Sequence, residues 1–146
     1  MSKLEQTRRA YDKISDLLNQ EIRSRRGSTK DLEDYRRLLD TAFYLLGWGQ
    51  FEFLIRRASR DAVEEHARTN TVHGHAWRQI QANIKALTVR QQLDIIFHTD
   101  PRTRSELDKD YTVRNEAAHD NQLPREAKDL SAWLDKLEEA INKTQS

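Results

Sequence analysis

The 146 residues predict an all-α fold, and three observations carry that reading. Only 4 glycines and 2 prolines punctuate the chain while 34% of its residues are charged, a balance that favours long helices with charged outer faces over a turn-rich β architecture. Apolar residues recur at spacings of three and four almost throughout, the period of one helix face. The one stretch that alternates, Phe51-Glu52-Phe53, has no clear second strand to pair with. With 36% hydrophobic residues the chain suits a single domain, 1–146, with one core.

Leu4, Tyr11, Ile14, Leu17, Leu18 and Ile22 trace the stripe of a first helix. Arg25-Arg26-Gly27 would end it, since basic residues and glycine suit a helix C-terminus. After Ser28-Thr29 a much longer second helix is predicted from about Asp31 to Arg68. Between Ala42 and Ile55 it is apolar nearly all round, which predicts the buried centre of a bundle. Gly47 and Gly49 lie inside it, each costing on the order of 1 kcal/mol relative to alanine. Close approach of a neighbouring helix, or of a second subunit, would offset that cost.

Thr69-Asn70-Thr71-Val72-His73-Gly74-His75 lacks periodicity and reads as a loop, after which Trp77, Ile80, Ile84 and Leu87 predict a short helix. Thr88 with Gln91 three residues on has the form of a capping box opening another turn, with Val89, Leu93, Ile96 and Phe97 on one face. Asp100-Pro101 interrupts it. A further helix is expected from about Arg102 to Ala118, then a loop from Asp120 to Leu123. Pro124 sits near the start of a last helix whose stripe is Ala127, Leu130, Trp133, Leu134, Leu137 and Ile141. The predicted whole is an up-and-down bundle with a long central second helix and extra short helices.

With 0 cysteines, disulfide frameworks, thiolate metal sites and cysteine nucleophiles are excluded, and the chain fits a reducing compartment. The start, Met1-Ser2-Lys3-Leu4-Glu5, has no apolar core behind a basic opening, and no run approaches the roughly 18 apolar residues of a membrane span. A cytoplasmic protein with no membrane partner is the expectation. Lys plus Arg (25) nearly cancels Asp plus Glu (24), so any attraction for nucleic acid must be local. The basic clusters Arg23/Arg25/Arg26, Arg36/Arg37, Arg56/Arg57/Arg60 and Arg102/Arg104 read as solvated faces, of which one or two can line an RNA groove.

In the penultimate helix the apolar face of Leu107, Tyr111 and Ala118 passes through Arg114, where the pattern asks for an apolar residue. Such an arginine can snorkel outward or pair with Asp110 one turn earlier. It is followed by Asn115, Glu116, Ala117, Ala118 and His119, which brings a guanidinium and an imidazole close together in sequence at a helix end. At about 100° per residue Asn115 and His119 lie nearly over one another, whereas Arg114 and His119 are roughly 140° apart. Convergence would need a loosened last turn before Asp120-Asn121, or a second subunit bringing its own motif across a two-fold axis.

Arg114-Asn115-x3-His119 resembles the R-x(4-6)-H signature of the HEPN superfamily. The bare spacing recurs at Arg60/His66, Arg68/His73 and Arg68/His75, so context carries the resemblance. That context is the Arg-Asn pair, the end of the penultimate long helix, a short polar loop and a terminal amphipathic helix. Ala42-Phe43-Tyr44-Leu45-Leu46 through Phe51-Glu52-Phe53-Leu54-Ile55-Arg56 also resembles the family's long second helix, with Glu52 at its often acidic position. The likeness covers roughly the whole chain at the level of helix order, and the small RNase-toxin and defence-associated members look most similar.

The resemblance implies a metal-independent endoribonuclease, acting as a toxin or defence effector, whose site forms at a homodimer cleft. RNA carries its own nucleophile in the 2′-hydroxyl, so no cofactor or metal is expected. His119 is the candidate general base or acid, since a free imidazole titrates at about 6.5. Arg114 would hold the scissile phosphate bidentately and stabilise its developing charge. Asn115 would orient the phosphate or the imidazole, and Glu52 would hold Arg114 in place. The expected products are a 2′,3′-cyclic phosphate and a 5′-hydroxyl, and the expected partners are RNA, a second copy and a cognate antitoxin or regulatory protein.

The alternatives are a non-catalytic HEPN scaffold, serving dimerisation or nucleotide binding, and a plain helical adaptor. His66, His73 and His75 stand without cysteine or an acidic triad, the pattern of surface histidines more than of a zinc site, and His98 reads as a helix C-terminal residue.

Overall fold

A computed structural model describes residues 2–120 and 129–144. The regular elements among them are helical: α1 (Lys3–Ser24), α2 (Lys30–Ala67), α3 (Val72–Ala82), a single 3₁₀ turn (Ile84–Ala86), α4 (Val89–Ile96), α5 (Pro101–Asp120) and α6 (Leu130–Lys143). The expected loop from Asp120 to Leu123, Pro124 at a helix start and Ala127 on the last stripe lie largely outside the described residues; Asp120 itself closes α5. No described helix is long and apolar enough to cross a membrane. The chain gathers into two compact units, Met1–Phe51 with Thr112–Ala140, and Glu52–Tyr111 with Ile141–Ser146.

The first unit holds α1, the front of α2, the end of α5 and most of α6. Ser2 caps α1, its hydroxyl accepting from the Glu5 amide at 3.0 Å. Tyr44, Trp48 and Phe51 are buried on α2 and Leu130, Leu134 and Leu137 on α6. The Trp48 and Trp133 rings stack at 6.0 Å between centroids, and Tyr44 meets Trp133 at 4.5 Å. Gly47 explains how α6 comes so close, because a Cβ there would collide with Leu134 Cδ2. Gly49 faces open space and has no such reason among the described residues. Two buried polar ties fix α1 on α2: Thr7 Oγ1 donates to Gln50 Oε1 at 2.8 Å, and Tyr11 Oη donates to Asp40 Oδ1 at 2.7 Å. Burial, reinforced by that bond to Asp40, raises the Tyr11 phenol above its ordinary value.

Two expectations for this unit are corrected. Ile14 and Leu17, placed on the core stripe of the first helix, are exposed, since the inward line of α1 runs through Leu4, Thr7 and Tyr11. Nor is α2 apolar all round because it is enclosed. Ala42, Leu46, Gly49 and Phe53 face solvent while Tyr44, Trp48, Phe51 and Ile55 face inward.

The second unit holds the rest of α2, then α3, the 3₁₀ turn, α4, the front of α5 and the end of α6. Ile55, Val63, Ala67, Leu93, Phe97, Leu107 and Ile141 are buried there. The segment expected as a loop through His75 is instead helical from Val72. Thr71 caps it, accepting from the Gly74 amide at 3.1 Å, and Gly74 lies so tight against the Thr69 carbonyl that any Cβ would strike it. Arg78 Nη1 closes the end of α2 by donating to the carbonyls of Ala67 and Thr69, both at 3.0 Å. The short helix predicted through Leu87 stops at Ala82, with the 3₁₀ turn following. The capping box forms in both directions: the Gln91 amide donates to Thr88 Oγ1 at 3.2 Å, and the Thr88 amide to Gln91 Oε1 at 2.9 Å.

Candidate active site

α5 positions the motif. Asp100 opens the helix, accepting from the Thr103 amide at 3.1 Å and from Thr103 Oγ1 at 2.6 Å, with Pro101 at the first helical position. Those bonds, with Lys143 and Arg102 nearby, hold the Asp100 carboxyl below the usual aspartate range. From there the helix runs 20 residues to Asp120, and its last part, from Thr112, belongs to the first unit.

On that part Ala117 is buried and Ala118 exposed, so the inward line is Leu107, Tyr111, Arg114, Ala117 and not one ending at Ala118. Arg114 accordingly sits half-buried, its Nε shut off from solvent. Its Nη1 donates to Asn115 Oδ1 at 3.0 Å. Asn115, expected to orient a phosphate or the imidazole, therefore steadies the guanidinium.

His119 is exposed and lies in the last turn of α5. Because the helix stays closed through Asp120, loosening does not bring the imidazole round to the guanidinium, and the two remain roughly 140° apart about the axis. Glu52 is half-buried on α2 and opens the second unit, while Arg114, Asn115 and His119 belong to the first.

The other histidines fall in the second unit. His73 and His75 are exposed on the first turns of α3. His66 stacks on Trp77 with centroids 4.9 Å apart, and His98 Nδ1 meets the Ile95 carbonyl oxygen at 2.9 Å just past α4. His66, Trp77, Asp94 and His98 line a cavity of about 500 Å³ together with the apolar Ala58, Ala62, Ile95 and Ile96. Nothing in the sequence pattern marked it, because it draws on three separate helices. Among the described residues no three His, Cys, Asp or Glu side chains group as a metal ion would need.

Compared with known protein families, curated proteins and solved structures, the chain gives no match in any of the three.

Proposed function

We propose that this chain is a metal-independent endoribonuclease of the HEPN type, acting as a toxin or defence effector, with its site assembled where two copies meet about a two-fold axis. The end of α5 carries the reading. There a half-buried guanidinium is steadied by Asn115, and an exposed imidazole follows on the same helix, free to meet substrate. The closed last turn favours assembly from two copies, since a two-fold axis can oppose groups that one straight helix keeps apart.

In that arrangement His119 of one copy, beside Arg114 of the other, removes the proton of the 2′-hydroxyl or delivers one to the leaving 5′-oxygen, the remaining proton exchanging with water. The 2′-oxygen forms its bond to phosphorus as the bond to the 5′-oxygen breaks. Arg114, with two forked N–H groups, carries the charge that gathers on the non-bridging oxygens. A 2′,3′-cyclic phosphate and a 5′-hydroxyl result.

The test is end-group analysis of RNA incubated with the protein in excess EDTA. The proposal expects cyclic phosphate and 5′-hydroxyl ends at an undiminished rate, and no cleavage where the scissile ribose is 2′-deoxy. Cleavage abolished by EDTA, or indifferent to the 2′-deoxy substitution, overturns it.

A further inference from the structure

Beyond the motif, the second unit carries a cationic face of its own. Arg56, Arg57 and Arg60 are exposed on α2, together with Phe53 at 62% exposure. At 100° per residue these four fall within an arc of about 100°. The buried Ile55 and Ser59 lie well round the helix from this arc, and buried Val63 borders it on the Arg56 side.

These arginines lack any acidic partner and stand away from the helix ends. Arg9 is paired with Glu5 at 2.6 Å, Arg25 with Asp31 at 2.6 Å and Arg90 with Asp108 at 2.7 Å. Among the described residues the side chains of Arg56, Arg57 and Arg60 make no hydrogen bond or ion pair. Glu64, one turn beyond Arg60, is taken by Arg68 at 3.0 Å. Asp61 and Glu65 lie to one flank, in a groove of about 510 Å³, and bound the patch there. Arg23 and Arg26 are also unpaired, but they stand at the C-terminal end of α1, where the helix dipole favours cations. The α2 arginines are mid-helix in a 38-residue element, so neither the dipole nor ion pairing accounts for them.

We infer that this face of α2 is a docking surface for single-stranded RNA, an inference that rests on the ribonuclease reading above. The three guanidiniums hold neighbouring phosphates of one strand, and Phe53 offers its ring to an unstacked base. Cations that track a backbone beside an aromatic ring are the combination single-strand binding uses, because every base has a π-face. A protein partner fits less well. Protein interfaces are built around an apolar centre depleted of charge, whereas here one phenylalanine stands among three arginines. With a net charge of only +1, the chain has no diffuse attraction for RNA that could substitute for the patch.

The test is fluorescence anisotropy with a short fluorescein-labelled RNA whose riboses are 2′-O-methylated, so that it binds without being cut. The Arg56→Gln/Arg57→Gln/Arg60→Gln protein should bind about 10- to 100-fold more weakly, with a plot of log affinity against log salt shallower by about 2. Phe53→Ala should lose about 10-fold with the salt slope unchanged. The triple lysine variant should keep the slope, and Arg23→Gln/Arg26→Gln should bind like wild type. Circular dichroism of each variant checks that the helices persist.

Wild-type affinity and slope in the triple glutamine variant overturn the docking surface and leave a protein as the occupant of this face. Equal loss in the Arg23/Arg26 control overturns it as well. If wild type cuts natural RNA while the triple variant cuts it with an unaltered KM, only the docking surface fails. If wild type neither binds nor cuts RNA, the ribonuclease reading fails and the docking surface with it.

Discussion

Arg114 and the Arg56/Arg57/Arg60 group present the same side chain in opposite settings. Arg114 is half-buried, its Nη1 held by Asn115 at 3.0 Å, near the end of a helix. The α2 arginines are exposed in mid-helix, and their side chains make no bond among the described residues. A guanidinium fixed before substrate arrives needs no reorganisation as charge develops, which is the condition for stabilising a transition state. A loose one gains most from attracting the ground-state backbone, and salt screens that gain. The difference teaches that cationic residues divide by how they are held: the pinned one is suited to chemistry and the free ones to capture.

Kinetics can break this division most sharply. Arg114→Ala should lower kcat by about 10²- to 10³-fold with little change in KM, because an interaction made mainly in the transition state is lost. The α2 triple glutamine variant should do the reverse, raising KM about 10-fold or more and leaving kcat nearly intact. Steady-state cleavage of one labelled RNA by both proteins reads the split, and equal effects on kcat would erase the distinction. Mixing Arg114→Ala protein with His119→Ala protein is the next largest effect. If each site pairs Arg114 of one copy with His119 of the other, an equal mixture, in which half of the dimers are mixed and each of these has one intact site, restores about a quarter of wild-type activity, whereas a site within one chain restores none. Asn115→Ala should cost less, about 10-fold in kcat, since it removes one bond to a guanidinium that remains present.

The two glycines of α2 repeat the contrast between held and free positions on a smaller scale. Gly47→Ala forces a methyl against buried Leu134 and should destabilise by about 1–3 kcal/mol. Gly49→Ala meets open space in a helix interior and should stabilise by about 0.5–1 kcal/mol. Thermal unfolding followed by circular dichroism separates the two, and shifts of the same sign would contradict the packing described. The smallest effect concerns pH. Asp100 has its carboxyl lowered by its bonds to Thr103, so its contribution to stability is complete above the ordinary aspartate range. That contribution is lost as pH falls through the lowered value. Asp100→Asn should flatten the acid limb of the melting curve against pH.

Much of this was legible in the sequence where local chemistry decides the outcome. The Thr88/Gln91 capping box needs only its own residues, and it forms as read. The Asp100-Pro101 break likewise becomes the start of α5. What escaped depended on contacts distant in sequence or on a weak local signal. Thr71 caps α3 beside a glycine packed on Thr69, yet Val72-His73-Gly74-His75 shows no periodic stripe to announce a helix. Ile14 and Leu17 look inward by composition and are exposed because the inward line of α1 passes elsewhere. Arg114 stands out in the sequence by interrupting an apolar face, but its bond to Asn115 and the shift of that face to Ala117 appear only in three dimensions. The unpaired state of Arg56, Arg57 and Arg60 could not be read from spacing, because Arg57 has Asp61 four residues on and still makes no ion pair.

The most direct test of the central claim is cleavage of one RNA in EDTA by three proteins side by side: wild type, His119→Ala and His73→Ala. His73 belongs to a second match to the bare motif spacing and is exposed on α3, which makes it the control. The account predicts that His119→Ala loses about 10²- to 10⁴-fold in rate while remaining folded, the usual cost of a positioned acid-base group, and that His73→Ala cuts like wild type. Full activity in His119→Ala, or an equal loss in His73→Ala, would contradict it.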